Sequence, residues 1–283
     1  MKEFEYLKPD TIEETISILS QHGEKAQILN GGTDLIVGMR DKIIQPEYLV
    51  DIKAIPQLNR IIYSKQDGLN IGSTVTLNEI SDSKVVQTHY PILAEACKTV
   101  GSYQVRNRAT LVGNICNASP AADTAPPLLV LDAKVNIIGP TGEKIIPINQ
   151  FFTGVKKNIL KKGEIVNSVT VPLIKDKWTG VYIKQSRRKD VDLATVGVAV
   201  VCIRDEIRIA LGAVAPIPVR IFKTEELLKG KLIDELLLEK AGESAITEVS
   251  PISDVRSSKE YRVEIVKVLI RRAILQVKRR YSA

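Results

Sequence analysis

The sequence is poor in the residues that build metal centres and disulfide frameworks. Its 283 residues include three cysteines and two histidines. Cys97, Cys116 and Cys202 are widely spaced and no CxxC occurs, which excludes a disulfide scaffold, a structural zinc site and an iron–sulfur cluster held by this chain alone. The thiols read as buried and free. His22 and His89 are isolated and read as solvated side chains, so no metal site is expected. The longest apolar run, Val196 to Ile203, is far short of the roughly 18 residues of a membrane helix, and Met1 to Glu5 has no apolar signal core. A cytoplasmic protein with no membrane partner follows as the expectation. Hydrophobic residues make up 44% and charged residues 26%, which excludes a mainly disordered chain. The net charge is +7, yet residues 259–283 alone hold eight basic and two acidic residues. The body is therefore close to neutral, which argues against a nucleic-acid-binding face.

Catalytic signatures are missing as well. There is no GxGxxG, no GxxxxGK[ST], no GxSxG and no HExxH. Two isolated histidines give no credible Ser/His/Asp set, so no catalytic side chain is assigned. A chain with ligand-holding loops and no side-chain catalyst fits chemistry done by a bound cofactor.

What is present falls into sections. Residues 11–22 read as a helix, with Ile12, Ile16 and Leu19 on one stripe, Thr11 as cap and Glu14 placed for a capping box. Strands at 26–29 and 48–52 flank a helix at 34–42, a βαβ-like unit over about 1–55. A hairpin over 61–63 and 69–71, helices at 75–81 and 91–100, and strands at 133–138, 143–146 and 165–171 form a second section, 56–175. Within it, 101–127 has almost no periodicity and reads as a long functional loop. The remainder, 176–283, has strands at 179–186, 195–203 and 206–214, then helices at about 223–229, 233–249 and 260–280. The fold class is therefore α+β, with a domain boundary near 175.

Two segments suit an anion. In Leu29-Asn30-Gly31-Gly32-Thr33-Asp34-Leu35 a strand ends, two glycines turn the chain and a helix begins. Residues without side chains let backbone N–H groups approach a phosphate, and Thr33 adds a hydroxyl. Asp34 is suited to bind amides of its own turn. The second segment runs from Ala109 to Asp123. Small residues alternate there with Thr110, Asn114, Asn117 and Ser119, a composition fit for wrapping a polar ligand. Asp123 either caps the apolar helix that follows or accepts from a ribose hydroxyl. Each segment alone is equally well an ordinary turn or surface loop.

Together, in order, these segments resemble the paired flavin motifs of the FAD-binding medium subunits of the molybdenum hydroxylase family, of the xanthine, carbon monoxide and nicotinate dehydrogenase type. Phe4-x-Tyr6-x-x-Pro9, Tyr182-x-Lys184-Gln185-Ser186-Arg187-Arg188 with Asp192-Leu193-Ala194, and Ser257-Ser258-x-x-Tyr261-Arg262 also fit. The resemblance implies a vanillyl-alcohol-oxidase-type FAD domain of two α+β subdomains, then an antiparallel sheet-plus-helices domain of the carbon monoxide dehydrogenase flavoprotein type. It implies FAD held non-covalently. Leu29 to Leu35 would line the pyrophosphate, with Asp34 bracing the turn. Thr110, Gly113, Asn114 and Asn117 would complete the cradle, and Asp123 would reach ribityl or ribose hydroxyls. Val112 stands where the family usually has glycine, which would narrow the backbone's approach. Val166 takes the place of an apolar residue near the adenine or the ring. Lys184 falls where the family has a lysine by the flavin; read alone it is a solvated strand residue. Leu193 would pack near the isoalloxazine ring; read alone it is core.

The function implied is electron transfer. Electrons would leave a substrate at a molybdopterin-binding large subunit, pass two [2Fe–2S] clusters on a small subunit, and reach NAD or another acceptor through FAD on this chain. The basic helix 260–280 is a candidate docking surface. Alternatives of other kinds are a stand-alone flavin oxidoreductase and a non-enzymatic binding module.

Overall fold

Three sheets of three or more strands organise the described residues, 1–188 and 191–282, of the computed structural model. The first is parallel, in the order β1 (Glu5–Leu7), β3 (Tyr48–Asp51), β2 (Ala26–Leu29). Helix α1 (Ile12–His22) provides the crossover, and α2 (Leu35–Arg40) follows the glycine turn. Thr11 caps α1 by accepting from Glu14 N at 3.1 Å, while the Glu14 carboxylate reaches one residue further back than a capping box requires, to Asp10 N. The three-residue β1 lies outside the sequence reading because it is too short to show alternation.

The second sheet is antiparallel, in the order β4 (Ile61–Ser64), β5 (Gly68–Gly72), β10 (Ile165–Val171), β6 (Lys134–Gly139), β7 (Gly142–Pro147). A small hairpin, β8 (Phe152–Gly154) with β9 (Lys157–Asn158), precedes its central strand. Helices α3 (Leu77–Asp82), α4 (Lys84–His89) and α5 (Pro91–Lys98) lie between β5 and β6. The segment 101–127 is not a loop. It forms α6 (Tyr103–Arg106), α7 (Leu111–Cys116) and the start of α8 (Ala125–Val130). Ser102 and Thr110 cap the first two, accepting from Val105 N and Gly113 N, and Pro126 sits in the first turn of the third. Helices of four to six residues are under two turns, so periodicity cannot reveal them.

The third sheet, β11 (Trp178–Gln185), β12 (Val196–Ile203), β13 (Glu206–Gly212) and β14 (Val219–Arg220), is antiparallel and bears α9 (Phe222–Leu228), α10 (Glu235–Ile246) and α11 (Lys259–Ser282). Every residue of β12 is buried, because both of its faces are covered. Val196, Val198, Val200 and Cys202 pack in the core with α10 and α11. Ala199, Val201 and Ile203 join the core of the second sheet and its helices. The apolar stripe Val266, Ile270, Ala273 and Val277 of α11 is fully buried.

Two minor expectations are corrected. His22 stacks on Tyr48 and His89 on Tyr63, with ring centroids 3.7 and 4.0 Å apart, so both are half-buried rather than solvated. Cys97 and Cys202 are buried and free, whereas Cys116 is only partly covered.

Candidate functional site

The two glycine-rich segments, some 80 residues apart in sequence, meet in space. A Cβ built on Gly31 would lie 2.3 Å from Arg108 O and 2.9 Å from Ala109 Cα, so the first loop rests directly on the backbone that enters the second. Gly32 turns the chain at φ +76°, a conformation that favours glycine. Hydrogen bonding resumes at Ile36 N, which donates to Gly32 O. Among the described residues, the N–H groups of Gly31 through Leu35 have no protein acceptor.

Side chains around this turn are also short of partners. Asn30 is buried and donates to Ser73 O at 2.7 Å, leaving its own Oδ1 unpaired. Ser73 Oγ and Thr74 Oγ1 are likewise buried without partners. Each such group costs about 1–3 kcal/mol if nothing satisfies it. Beside them opens a cleft of about 380 Å³ whose walls include Asn30, Lys53, Thr74, Asn107, Arg108 and Thr110. A row of amide donors next to orphaned hydroxyl and amide groups suits a phosphate-bearing, hydroxyl-rich ligand. Ser73, Thr74, Asn107 and Arg108 escaped the sequence reading, since nothing in their local pattern separates them from other loop residues.

The second segment contributes differently from its expectation. The Thr110 hydroxyl caps α7 by accepting from Gly113 N at 2.9 Å, so it is engaged within the protein. A Cβ on Gly113 would lie 2.8 Å from that oxygen. Asn114 Oδ1 accepts from Thr124 at 2.6 Å, and Asn117 Oδ1 from Lys156 at 3.2 Å. Val112 is 4% exposed and belongs to the main core, so its side chain does not line the cleft. The expected narrowing of the backbone's approach by a side chain at 112 is therefore not seen. Asp34, expected to brace its turn, is exposed and makes no capping bond.

Asp123 does not cap α8. Thr124 occupies the cap position, without a side-chain bond. Asp123 is instead 5% exposed, accepting from Tyr182 Oη at 2.7 Å and from Lys184 Nζ at 2.8 Å. Burial raises the Asp123 carboxyl above the usual range, opposed by the Lys184 charge and the two hydrogen bonds. Burial and the neighbouring carboxylate both push the Tyr182 phenol well up. Lys184 also donates to Thr99 O at 2.9 Å, so the solvated reading of this lysine is overturned. Leu193 is 58% exposed in the segment after β11, which overturns its reading as core. Val166 is buried in β10, beside an irregularity that turns Asn167 O toward Ser73 N.

The Ser257-Ser258-x-x-Tyr261-Arg262 segment braces the same region. Arg262 is 1% exposed and donates to Thr195 O, Ala213 O and Asp254 Oδ1 at 2.6, 2.7 and 2.8 Å. Arg256 donates to Ala194 O at 3.2 Å and pairs with Asp254. Together they fasten the chain immediately after Leu193 to the start of α11.

A model described as the FAD binding domain in molybdopterin dehydrogenase matches residues 2–174, and one described as the CO dehydrogenase flavoprotein C-terminal domain matches 181–277. The chain belongs to this family of FAD-binding subunits. It is 32% identical to the xanthine dehydrogenase FAD-binding subunit of Escherichia coli O157:H7, over 95% of this chain and 94% of that one. It is 33% identical to the carbon monoxide dehydrogenase medium chain of Hydrogenophaga pseudoflava, over 96% of each. The solved carbon monoxide dehydrogenase of Hydrogenophaga pseudoflava superposes with a TM-score of 0.95, covering 99% of this chain and 98% of that one at 32% identity. Family membership makes this an FAD-binding oxidoreductase subunit of the molybdenum hydroxylases. The unpaired amides at Gly31–Leu35 and the orphaned Asn30, Ser73 and Thr74 fit that cofactor. Among the described residues there is no cluster of three or more metal-ligating side chains and no helix long and apolar enough to cross a membrane.

Proposed function

We propose that this chain is the FAD-carrying electron-transfer subunit of a multi-subunit molybdenum hydroxylase of the xanthine dehydrogenase-like type, working with a molybdopterin-binding large subunit and a [2Fe–2S] small subunit, and delivering electrons to NAD. The carrying observation is the row of unpaired amides against orphaned polar side chains where the two glycine loops touch. We divide the chain at about 175, with FAD-binding subdomains over 1–55 and 56–175 and the sheet-and-helix domain after it.

Leu29, Asn30, Gly31, Gly32, Thr33, Asp34 and Leu35 would line the pyrophosphate, with the unpaired N–H groups of Gly31 through Leu35 donating to it and the Thr33 hydroxyl beside them. Thr110, Gly113, Asn114 and Asn117 would complete the cradle, with Thr110 acting mainly by fixing the turn through its cap. Val166 would lie near the adenine or the ring, and Asp123, Lys184 and Leu193 would attend the flavin and its ribityl chain. When bound, FAD accepts electrons one at a time and delivers a pair. The chain's own part is to bind and orient it, to exclude water, and to keep a lysine ammonium near it.

The likeness over nearly the whole length to medium chains and FAD-binding subunits supports the division of labour. With FAD, the chain alone should reduce an artificial dye with NADH. It should oxidise no purine, nicotinate or carbon monoxide until the two partner subunits are added, and it should copurify with them. Oxidation of such a substrate by this chain alone, or failure to copurify, refutes the reading.

A further inference from the structure

Tyr182 and Lys184 are two residues apart on β11 and so point to the same face of the sheet. That face meets Asp123, whose two carboxylate oxygens are both engaged, Oδ1 by Tyr182 and Oδ2 by Lys184. Lys184 spends a second N–H on Thr99 O. An ammonium has three N–H groups, so one remains to be directed at a ligand. The strand opposite makes room for this arrangement. Gly197 pairs with Lys184 across β11 and β12, and a Cβ there would lie 2.6 Å from Tyr182 Oη. Such a pair is costly to bury, so its place beside the proposed site asks for a role.

We propose that Asp123 is a positioning residue that acts on the flavin through Lys184, holding the ammonium charged and aimed. This rests on the reading that Lys184 lies beside the flavin. The carboxylate is nearly inaccessible, and each of its oxygens is tied to β11, one by a phenol and one by an ammonium, so it holds Lys184 in a fixed direction. Tyr182 is part of the same device, since its hydroxyl fixes the other oxygen of Asp123.

The test is the flavin midpoint potential of the FAD-loaded full chain, with FAD affinity measured alongside. Lys184→Met lowers the potential. Asp123→Asn keeps the shape and a carbonyl acceptor, so FAD still binds, but the potential moves by about tenfold in the two-electron equilibrium constant, about 30 mV. In the Lys184→Met background Asp123→Asn moves it no further. Tyr182→Phe retains the packing if Asp123→Asn does not fold, and it gives a smaller shift that also requires Lys184. An unchanged potential in Asp123→Asn, a shift that adds in full without Lys184, or a loss of FAD affinity in place of a shift overturns the proposal while Lys184 keeps its place. An unchanged potential in Lys184→Met overturns the placement of the lysine itself, and the proposal with it.

Discussion

Gly31 is the position at which a single methyl group tests how the site is built. Its Cβ would sit 2.3 Å from Arg108 O, a backbone atom that no rotamer change can move aside. Non-bonded separations settle at about 3.5 Å, so the two loops must part by about 1 Å in Gly31→Ala. Overpacking of this kind costs about 1–3 kcal/mol. Because the loops form the two walls of one site, FAD affinity should fall about 5- to 150-fold if that strain is borne by the bound arrangement. Titration of the FAD-free chain by flavin fluorescence, with flavin absorbance after gel filtration, reads the effect. Gly32 is less constrained by space. Its Cβ would meet Leu29 Cδ1, the end of a flexible side chain, at 2.8 Å, and its demand for glycine comes from φ +76°. Gly230→Ala is the control: φ is +66° with nothing within 4 Å, so it should cost about 1 kcal/mol of stability and leave FAD binding unchanged. Wild-type affinity and melting temperature in Gly31→Ala would refute the claim that contact between the loops shapes the site.

Val112→Gly restores the residue usual in the family. It should lower stability by about 2–4 kcal/mol through a core cavity and lost helix propensity, with FAD affinity unchanged, because Val112 is buried away from the cleft; tighter FAD binding would contradict that. Asp254 is the acid-sensitive point of the brace behind Leu193. Burial tends to raise its carboxyl, but hydrogen bonds from Arg256 and the charges of Arg256 and Arg262 outweigh this and hold it well below the usual range. A folded-state value below the unfolded one, about 3.9, gives stability that is full above about pH 4 and is lost as pH falls further. Asp254→Asn should therefore lower stability at pH 7 by about 1–3 kcal/mol and flatten the acid limb of a pH series of denaturant midpoints; an unchanged acid limb would exclude the brace. In α11, Lys267, Arg271 and Arg280 pair with Glu243, Glu235 and Glu95, and Arg262 is buried. Charge reversal at Arg272, Lys278 and Arg279 should slow association with an acidic partner at low salt; equal rates with and without salt would leave this helix face as solvated surface.

Elements long enough to show a residue pattern are readable from spacing alone. The helix at 260–280 is legible because one-sided burial imposes a repeat of 3.6 over many turns, and the strand at 195–203 because burial on both faces demands an unbroken β-branched apolar run. The glycine pair at 31–32 is legible because a tight turn beside an anion needs residues without side chains, whereas Lys184 comes only through the family resemblance and reads alone as a solvated strand residue. Other features depend on local caps and on contacts between distant segments. The short helices of 103–116 rest on local caps, which leave no periodic trace. The partners of Asp123 come from positions 182 and 184, and the orphaned Ser73 and Thr74 face a loop more than forty residues away. Whether a carboxylate caps a helix, binds a ligand or holds an ammonium depends on which groups the folded chain places within 3 Å of it. That is a property of packing between distant segments, which the residues beside Asp123 in the chain do not encode.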